Sequence, residues 1–168
     1  RGMISPAEFI PALEEARLAY KLDLHMVEEV ANFLRMKMED GIPLVPVSVN
    51  LSRTDFDACD MVEEIAKRVD LAGVDRELIR IEITESVIGS DFDFMRRQIE
   101  RFGEKGFKVW MDDFGSGFSS LDVLQSLPFD TIKLDMRFMR EYDGSDRSRV
   151  ILTELISMAM GLGINTIV

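Results

Sequence analysis

Six polar residues lie at the carboxyl ends of four strand-like segments, and together they could bind divalent cations. They are Asn50, Glu82, Asp112, Asp113, Lys133 and Asp135. Oxygen donors without histidine or cysteine suit Mg²⁺ or Mn²⁺ rather than zinc or copper. Clustered carboxylates repel one another unless cations lie between them, and two ions in one site is an arrangement for phosphoryl chemistry. The pattern therefore predicts a two-metal site, with Lys133 as a fixed positive donor for a phosphate oxygen.

A simpler interpretation of each acidic residue stays open at this point. Aspartate and glutamate at the end of a strand commonly cap the next helix or remain solvated. The coincidence on four strand-like segments, with the ionisable residues on one face, favours a shared site over separate caps.

A glycine- and serine-rich loop over residues 112–120 follows the third of these segments. Its glycines permit a tight backbone close to a ligand, its serines can cap the following helix, and such a loop is a general anion site. The candidate substrate-loop residues are Gly115, Ser116, Gly117, Ser119 and Ser120. The loop contains Asp-Phe-Gly, as protein kinases do, but no kinase glycine-rich loop or His-Arg-Asp motif accompanies it. A kinase is therefore excluded.

The elements that must position these residues alternate between strand-like and helical patterns. Strands are predicted over 44–51, 78–84, 107–111, 130–134 and 164–168. Helices are predicted over 6–19, 23–39, 61–69, 92–102 and 121–125, around Arg137, and over 147–160. Single helices between strands indicate parallel βαβ units, in either a doubly wound sheet or a (β/α)8 barrel.

The alternation within each strand favours the barrel. Glu82 lies between Ile81 and Ile83, so one face of the strand is aliphatic and the other polar. Strands of a doubly wound sheet are apolar on both faces, whereas barrel strands direct polar residues to the carboxyl-terminal mouth. The predicted fold class is therefore α/β, a TIM-like (β/α)8 barrel. A barrel typically needs about 250 residues, so five strands in 168 residues indicate an incomplete one.

Composition excludes several classes of function. There are 31 acidic and 20 basic residues, for a net charge of −11, which disfavours binding to a nucleic acid polymer. No apolar run approaches the roughly 20 residues that cross a bilayer. A single cysteine, Cys59, and a single histidine, His25, leave no internal disulfide and no histidine-rich metal site. We expect one acidic, cytoplasmic domain without membrane contact from this segment.

The motifs together resemble the EAL domain of bacterial cyclic-di-GMP phosphodiesterases. The matching segments, in chain order, are 2–10, 49–52, 82–86, 112–120 and 133–135. The resemblance implies a (β/α)8 barrel with two Mg²⁺ or Mn²⁺ ions. It also implies hydrolysis of the second messenger cyclic-di-GMP to the linear dinucleotide.

The resemblance also implies a role for each matching residue. Asn50, Glu82 and Asp112 match metal ligands, and Asp113 matches a ligand of the second metal. The three candidate catalytic residues have different roles. Lys133 matches the lysine that helps to hold the nucleophilic water, and Asp135 matches a residue that supports the metal site. Glu85 matches the glutamate that anchors the loop after the fourth catalytic strand.

Other family motifs are not found in residues 1–168. The name-giving Glu-Ala-Leu would precede Arg1, and Glu-Gly-Val-Glu, with its general base, would follow Val168. A later glutamine of the site is missing too, and Phe118 stands where tyrosine is usual. We therefore expect residues 1–168 to be a partial EAL domain, truncated at both ends. The parent protein would be the enzyme, and this chain alone would be inactive.

Two other functions stay open. The chain could be a non-catalytic EAL-type module that binds cyclic-di-GMP or a protein partner, or an inert barrel fragment. In either enzyme or module, the expected partners are cyclic-di-GMP, a second copy in a homodimer, and fused sensory or GGDEF domains. The parent could be anchored in a membrane. An arginine-rich stretch around Arg137 lies where members of the family often dimerise, although a solvated surface explains it equally well.

Overall fold

The computed structural model describes residues 4–89, 91–115, 121–142 and 145–168. The chain divides into two compact units, Arg1–Ile79 and Arg80–Val168. Within the described residues, no helix is both long enough and apolar enough to cross a lipid bilayer.

Residues 4–79 of the first unit form four helices, one strand and a short 3-10 turn, together with the start of the next strand. They are α1 (Pro6–Glu15), α2 (Ala19–Glu39), β1 (Val47–Leu51), α3 (Arg53–Ala58), α4 (Met61–Ala72) and the turn Arg76–Leu78. Helix α2 packs on α4. The apolar residues of α2 recur at helical spacing and bury one stripe, formed by Leu24, Val27, Ala31 and Leu34. The facing stripe of α4 includes Val62, Ile65 and Val69.

Two local features of this unit differ from the sequence predictions. The first two helices meet at 16–18 rather than 20–22, because Arg17 adopts a left-handed backbone with φ 55°. A non-glycine residue rarely does so, and no sequence signal marks it. Helix α3 was not predicted. Its six residues are too few for a periodic pattern, and a capping box between Ser52 and Asp55 starts it.

The second unit alternates strands and helices. Its elements are β2 (Ile79–Thr84), α5 (Glu85–Ile88), α6 (Phe92–Glu104), β3 (Lys108–Phe114), α7 (Leu121–Ser126), β4 (Thr131–Leu134), α8 (Met136–Tyr142), α9 (Asp146–Gly161) and β5 (Asn165–Ile167). The strands form a parallel sheet in the order β2-β3-β4-β5. Each strand is therefore beside the next one in the sequence. A doubly wound sheet reverses this order at its switch point, so the winding is that of a barrel wall.

The two faces of this sheet differ as the strand alternation predicts. Its aliphatic face is fully buried and comprises Ile81, Ile83, Val109, Met111 and Ile132. Buried side chains on the covering helices, such as Phe102 of α6 and Leu152 of α9, belong to the same apolar core. The opposite face carries polar residues, including buried Glu82 and half-buried Lys133. Packing of the aliphatic face against helices therefore directs the polar face away from them.

Candidate active site

Glu82, Asp112 and Lys133 meet at one point, although they come from three successive strands. Glu82 is on β2, Asp112 near the end of β3 and Lys133 on β4. Lys133 Nζ lies 3.2 Å from Glu82 Oε2 and 3.1 Å from Asp112 Oδ2. Glu82 is only 3% exposed. Because a buried carboxylate is costly without a partner, the ammonium of Lys133 is what allows Glu82 and Asp112 to lie side by side.

The charge state of Lys133 follows from this geometry. Burial of the ammonium favours the neutral form and acts to lower its pKa. Hydrogen bonds to Asp112 and Glu82 act in the opposite direction and outweigh burial, so the pKa of Lys133 is raised. Lys133 is therefore a permanent cation with two carboxylate contacts, suited to donating hydrogen bonds rather than accepting a proton.

Asp113 lies within β3, and not past its end as expected from the sequence. The pairing of β3 with β4 shifts register between Met111 and Phe114, and Asp113 has φ 56°. Aspartate is among the few side chains that tolerate this left-handed conformation. The Asp113 backbone N–H donates to Asp112 Oδ1 at 2.9 Å. This shift is a β-bulge, which adds one residue to β3 relative to β4. The consecutive carboxylates of Asp112 and Asp113 therefore both lie near the end of β3.

Asp113 has an unusual electrostatic environment. The residue is exposed, but its carboxyl is partly shielded from water. This burial raises the pKa of Asp113, and the nearby charges of Asp112 and Asp135 raise it further. Lys133 and Arg137 oppose the shift. A site with this excess of negative charge attracts cations.

Asp135 directly follows β4 and is held by its neighbours. Its backbone N–H donates to the Phe114 carbonyl at 3.1 Å. Its Oδ1 accepts hydrogen bonds from the Arg137 backbone N–H at 2.7 Å and from Arg137 Nε at 3.2 Å. These bonds lower the pKa of Asp135. Asp135 is therefore an ionised carboxylate with a defined orientation at the end of β4.

Glu85 holds the backbone at the start of the glycine-rich loop. It is the first residue of α5, immediately after β2, and is 8% exposed. Its Oε2 accepts a hydrogen bond from the Gly115 N–H at 3.3 Å. Gly115 has φ 91°, and a Cβ at this position would overlap the ring of Phe138. The loop that Glu85 contacts is therefore the one after β3, and not the one after the fourth strand that the resemblance implied. The first turn of this loop requires glycine.

The structure gives less information about the other candidate residues. Ser116, Gly117, Ser119 and Ser120 lie outside the described residues. Asn50 is an exposed residue of β1 in the first unit, between the buried Val49 and Leu51. This alternation agrees with the predicted strand faces. The role of Asn50 as a metal ligand stays a prediction.

The carboxylate oxygens of Glu82 and Asp112 are of a chemical type that binds divalent cations. Among residues 4–89, 91–115, 121–142 and 145–168, no three histidine, cysteine or acidic side chains form a ready metal cage. Glu82 and Asp112, however, direct one oxygen each at the same cationic group. Two converging carboxylates without nitrogen or sulfur donors suit Mg²⁺ or Mn²⁺. The pair could thus supply part of a coordination shell.

Arg137 and Phe138 at the start of α8 also contribute to this site, and the sequence did not predict their contacts. Arg137 contacts both Asp135 and the Gly115 carbonyl, and Phe138 packs over Gly115. One local pattern does indicate the contact between Asp135 and Arg137. An aspartate that precedes a short helix commonly accepts hydrogen bonds from the residue two positions later. The contact with Gly115 spans 22 residues, and no local pattern indicates it.

The whole chain is similar to known proteins. The family model described as "EAL domain" matches residues 1–168. A relative in Pseudomonas aeruginosa, named cyclic di-GMP phosphodiesterase PA2567, is 31% identical over 96% of this chain and 27% of its own length. The chain spans about a quarter of the length of the curated relatives that it matches, from 20% to 27%.

Solved structures give the same result. The PaMucR phosphodiesterase in complex with c-di-GMP has a TM-score of 0.87 at 25% identity, covering 99% of this chain and 67% of that one. BlrP1 of Klebsiella pneumoniae, in a manganese and cyclic-di-GMP complex, has a TM-score of 0.75 at 26% identity, covering 88% and 37%. The prediction of an incomplete EAL-type barrel is thereby confirmed. From its family-model match and its sheet of sequential parallel strands, the chain belongs to the EAL domain family.

Proposed function

We propose that this chain is part of a phosphodiesterase that hydrolyses cyclic-di-GMP to the linear dinucleotide. The observation that carries the proposal is the contact of Lys133 with both Glu82 and Asp112 at one end of the sheet of an EAL domain. The names of PA2567 and the PaMucR complex support the choice of substrate.

Hydrolysis requires that a water attacks phosphorus while one phosphate ester bond breaks and the released alcohol takes a proton. Glu82, Asp112 and Asp113 would hold the divalent cations, and Asn50 remains a ligand that the sequence predicts. When bound, Mg²⁺ or Mn²⁺ would supply Lewis-acid charge and lower the pKa of water. Lys133 is cationic and rigidly placed, so it would orient the attacking water or a phosphate oxygen by donating a hydrogen bond. Asp135, held by Arg137, would support the metal site from the end of β4.

The overall charge supports a cation-dependent site. At −11, the chain repels the two phosphates of a cyclic dinucleotide. Divalent cations between the carboxylates would invert the local charge and allow the anion to bind. Substrate affinity should therefore depend strongly on the metal. The manganese and cyclic-di-GMP complex of BlrP1 is in accord with such a requirement.

The test is hydrolysis of cyclic-di-GMP with Mn²⁺ or Mg²⁺, with the linear product followed by chromatography. It should be run on this chain and on the longer gene product that contains it. Lys133→Ala should lower turnover by about 100-fold or more, the scale seen when a positioned donor is removed. Lys21→Ala, which removes the same charge from an exposed site on α2, is the matched control.

Each outcome of this assay has a definite meaning. Turnover that survives Lys133→Ala would refute the role of Lys133. Tight binding of cyclic-di-GMP without any turnover in the longer protein would instead indicate a ligand-binding module. Homodimerisation and fusion to sensory or GGDEF domains are predictions for that longer protein, and a cytoplasmic location is a further one.

A further inference from the structure

We propose that Arg137 is a positioning residue, which ties the first turn of the glycine-rich loop to the carboxylate of Asp135. This inference deepens the proposed function and rests on it for its catalytic consequence. Its structural content is independent of the reaction, because it concerns contacts among described residues of the second unit.

The guanidinium of Arg137 donates hydrogen bonds to two different residues. Arg137 Nη2 donates to the Gly115 carbonyl at 3.3 Å, and Nε donates to Asp135 Oδ1 at 3.2 Å. A further contact joins Nη2 to Asp135 Oδ2 at 3.4 Å. The planar guanidinium presents several donors in a fixed fork, so one side chain can bridge the two acceptors. A lysine ammonium, a point charge on a flexible stem, would not reproduce that bridge.

Gly115 is restrained by three different side chains. Glu85 of α5 accepts a hydrogen bond from its N–H, and Arg137 of α8 donates one to its carbonyl. The ring of Phe138 covers its Cα. Since Gly115 has φ 91°, a conformation with few local preferences, these three contacts define where the loop begins. Arg137 is the contact that links this point to Asp135.

The Arg137 side chain is expected to contribute little to the stability of the fold. The Arg137 side chain is 55% exposed, and ion pairs at such positions stabilise proteins little. Its three side-chain hydrogen bonds nevertheless converge on Asp135 and Gly115, which follow Lys133 by two residues and Asp112 by three. The consequence of losing Arg137 should therefore be local displacement of the loop, and not unfolding.

The experiment measures amide hydrogen exchange of the isotope-labelled chain by nuclear magnetic resonance. The variants are Arg137→Ala, Arg137→Lys and Arg137→Gln. Arg140→Ala is the matched control, because Arg140 is an exposed arginine on the same helix. The Gly115 N–H is bonded to Glu85 and exchanges only when this turn opens locally. Without Arg137 that opening breaks one hydrogen bond fewer, so we expect Arg137→Ala to speed exchange of the Gly115 N–H by about tenfold. Arg137→Lys and Arg137→Gln should restore little of this protection, and Arg140→Ala should behave as the parent.

The catalytic consequence is measured separately, in the longer protein with cyclic-di-GMP and Mn²⁺. Arg137→Ala should lower kcat/KM by about tenfold, the effect of a misplaced loop, while Arg140→Ala should not. Unchanged exchange at Gly115 in both Arg137→Ala and Arg137→Gln would overturn the proposal. Full protection in Arg137→Lys would also overturn it, since a charge alone would then suffice. If the longer protein shows no turnover, the proposed function fails while the exchange result still decides the role of Arg137.

Discussion

Replacing Asp23 with asparagine should stabilise the protein at pH 8 and leave its stability at pH 4 nearly unchanged. Asp23 is a half-buried residue of α2 that faces Asp55 of α3, in the first unit. Asp55 is fully buried, and its Oδ2 accepts a hydrogen bond from the Ser52 backbone N–H. Burial, which is the largest cause, the charge of Asp55, a hydrogen bond to Asp55 and the charge of Glu14 together raise the pKa of Asp23 to about 7.

The physical reason is that only a protonated Asp23 can donate a hydrogen bond to Asp55. Above its folded-state pKa, Asp23 becomes a second carboxylate beside a buried one, and the two repel each other. Asparagine has nearly the same shape, keeps an N–H donor for Asp55 and carries no charge. The substitution should therefore remove the repulsion without opening a cavity.

The sign and size of the effect follow from linkage. Between pH 3.8 and about 7 the folded state keeps the Asp23 proton while the unfolded state releases it. Stability therefore falls as pH rises through this window, and the loss is complete above it. Each pKa unit corresponds to about 1.4 kcal/mol, so the rise amounts to about 4 kcal/mol at most. Because Asp23 is only half-buried, we expect a gain of about 2–4 kcal/mol for Asp23→Asn at pH 8.

The assay is urea unfolding followed by circular dichroism at several pH values from 4 to 8. The informative quantity is the difference in unfolding free energy between Asp23→Asn and the parent, since other carboxyl groups titrate equally in both. Asp55→Asn should give a similar flattening, and the double variant should gain little more because the two residues share one interaction. Glu29→Gln, an exposed acid on the same helix, controls for net charge.

Two results would refute this reasoning. One is a variant at Asp23 that is no more stable than the parent at pH 8. The other is a stability difference that does not grow between pH 4 and pH 8. A gain of the same size in Glu29→Gln would show that general repulsion in an acidic chain explains the effect, and not the pair with Asp55.

The remaining predictions concern Gly115 and the core of the sheet. Gly115→Ala should destabilise the protein by about 1–3 kcal/mol, because alanine at φ 91° is strained and its methyl group meets Phe138. Gly103→Ala, at an open position in α6, should be neutral or stabilise by up to about 1 kcal/mol. Equal thermal unfolding of these two variants would contradict the close approach at Gly115. Ile83→Ala, at a fully buried position, should cost about 2–5 kcal/mol in urea unfolding. Val150→Ala, which is 59% exposed in the parent, should cost less than about 0.5 kcal/mol, and a similar loss in both would contradict the assigned core.

Local sequence was a good guide wherever a feature depends on neighbouring residues alone. The alternation of Ile81, Glu82 and Ile83 predicted which face of β2 is buried, because successive strand residues point to opposite sides. The end of α2 at residue 39 was also predicted, and Gly41, with φ 70°, follows it in the left-handed conformation that commonly ends a helix. The order of strand and helix patterns predicted parallel βαβ units, and the alternation within each strand favoured a barrel over a doubly wound sheet.

Local sequence was a poor guide where a backbone departs from its usual conformation. The left-handed Arg17 moved the junction of α1 and α2, and the bulge at Asp113 extended β3 beyond its predicted end. Neither residue is a glycine, so nothing in its type demanded the observed φ. Such conformations persist because surrounding contacts outweigh a local cost of about 1–3 kcal/mol.

The contacts that carry the chemistry join residues distant in the chain. Lys133 meets Glu82 across 51 residues, and Arg137 meets Gly115 across 22. Residue type and strand face indicated that Glu82, Asp112 and Lys133 are polar and point the same way. Which atoms approach within 3.1–3.2 Å depends on the register of three parallel strands. Register is set by the packing of the aliphatic face against the helices, and is therefore a property of the folded unit and not of any one segment.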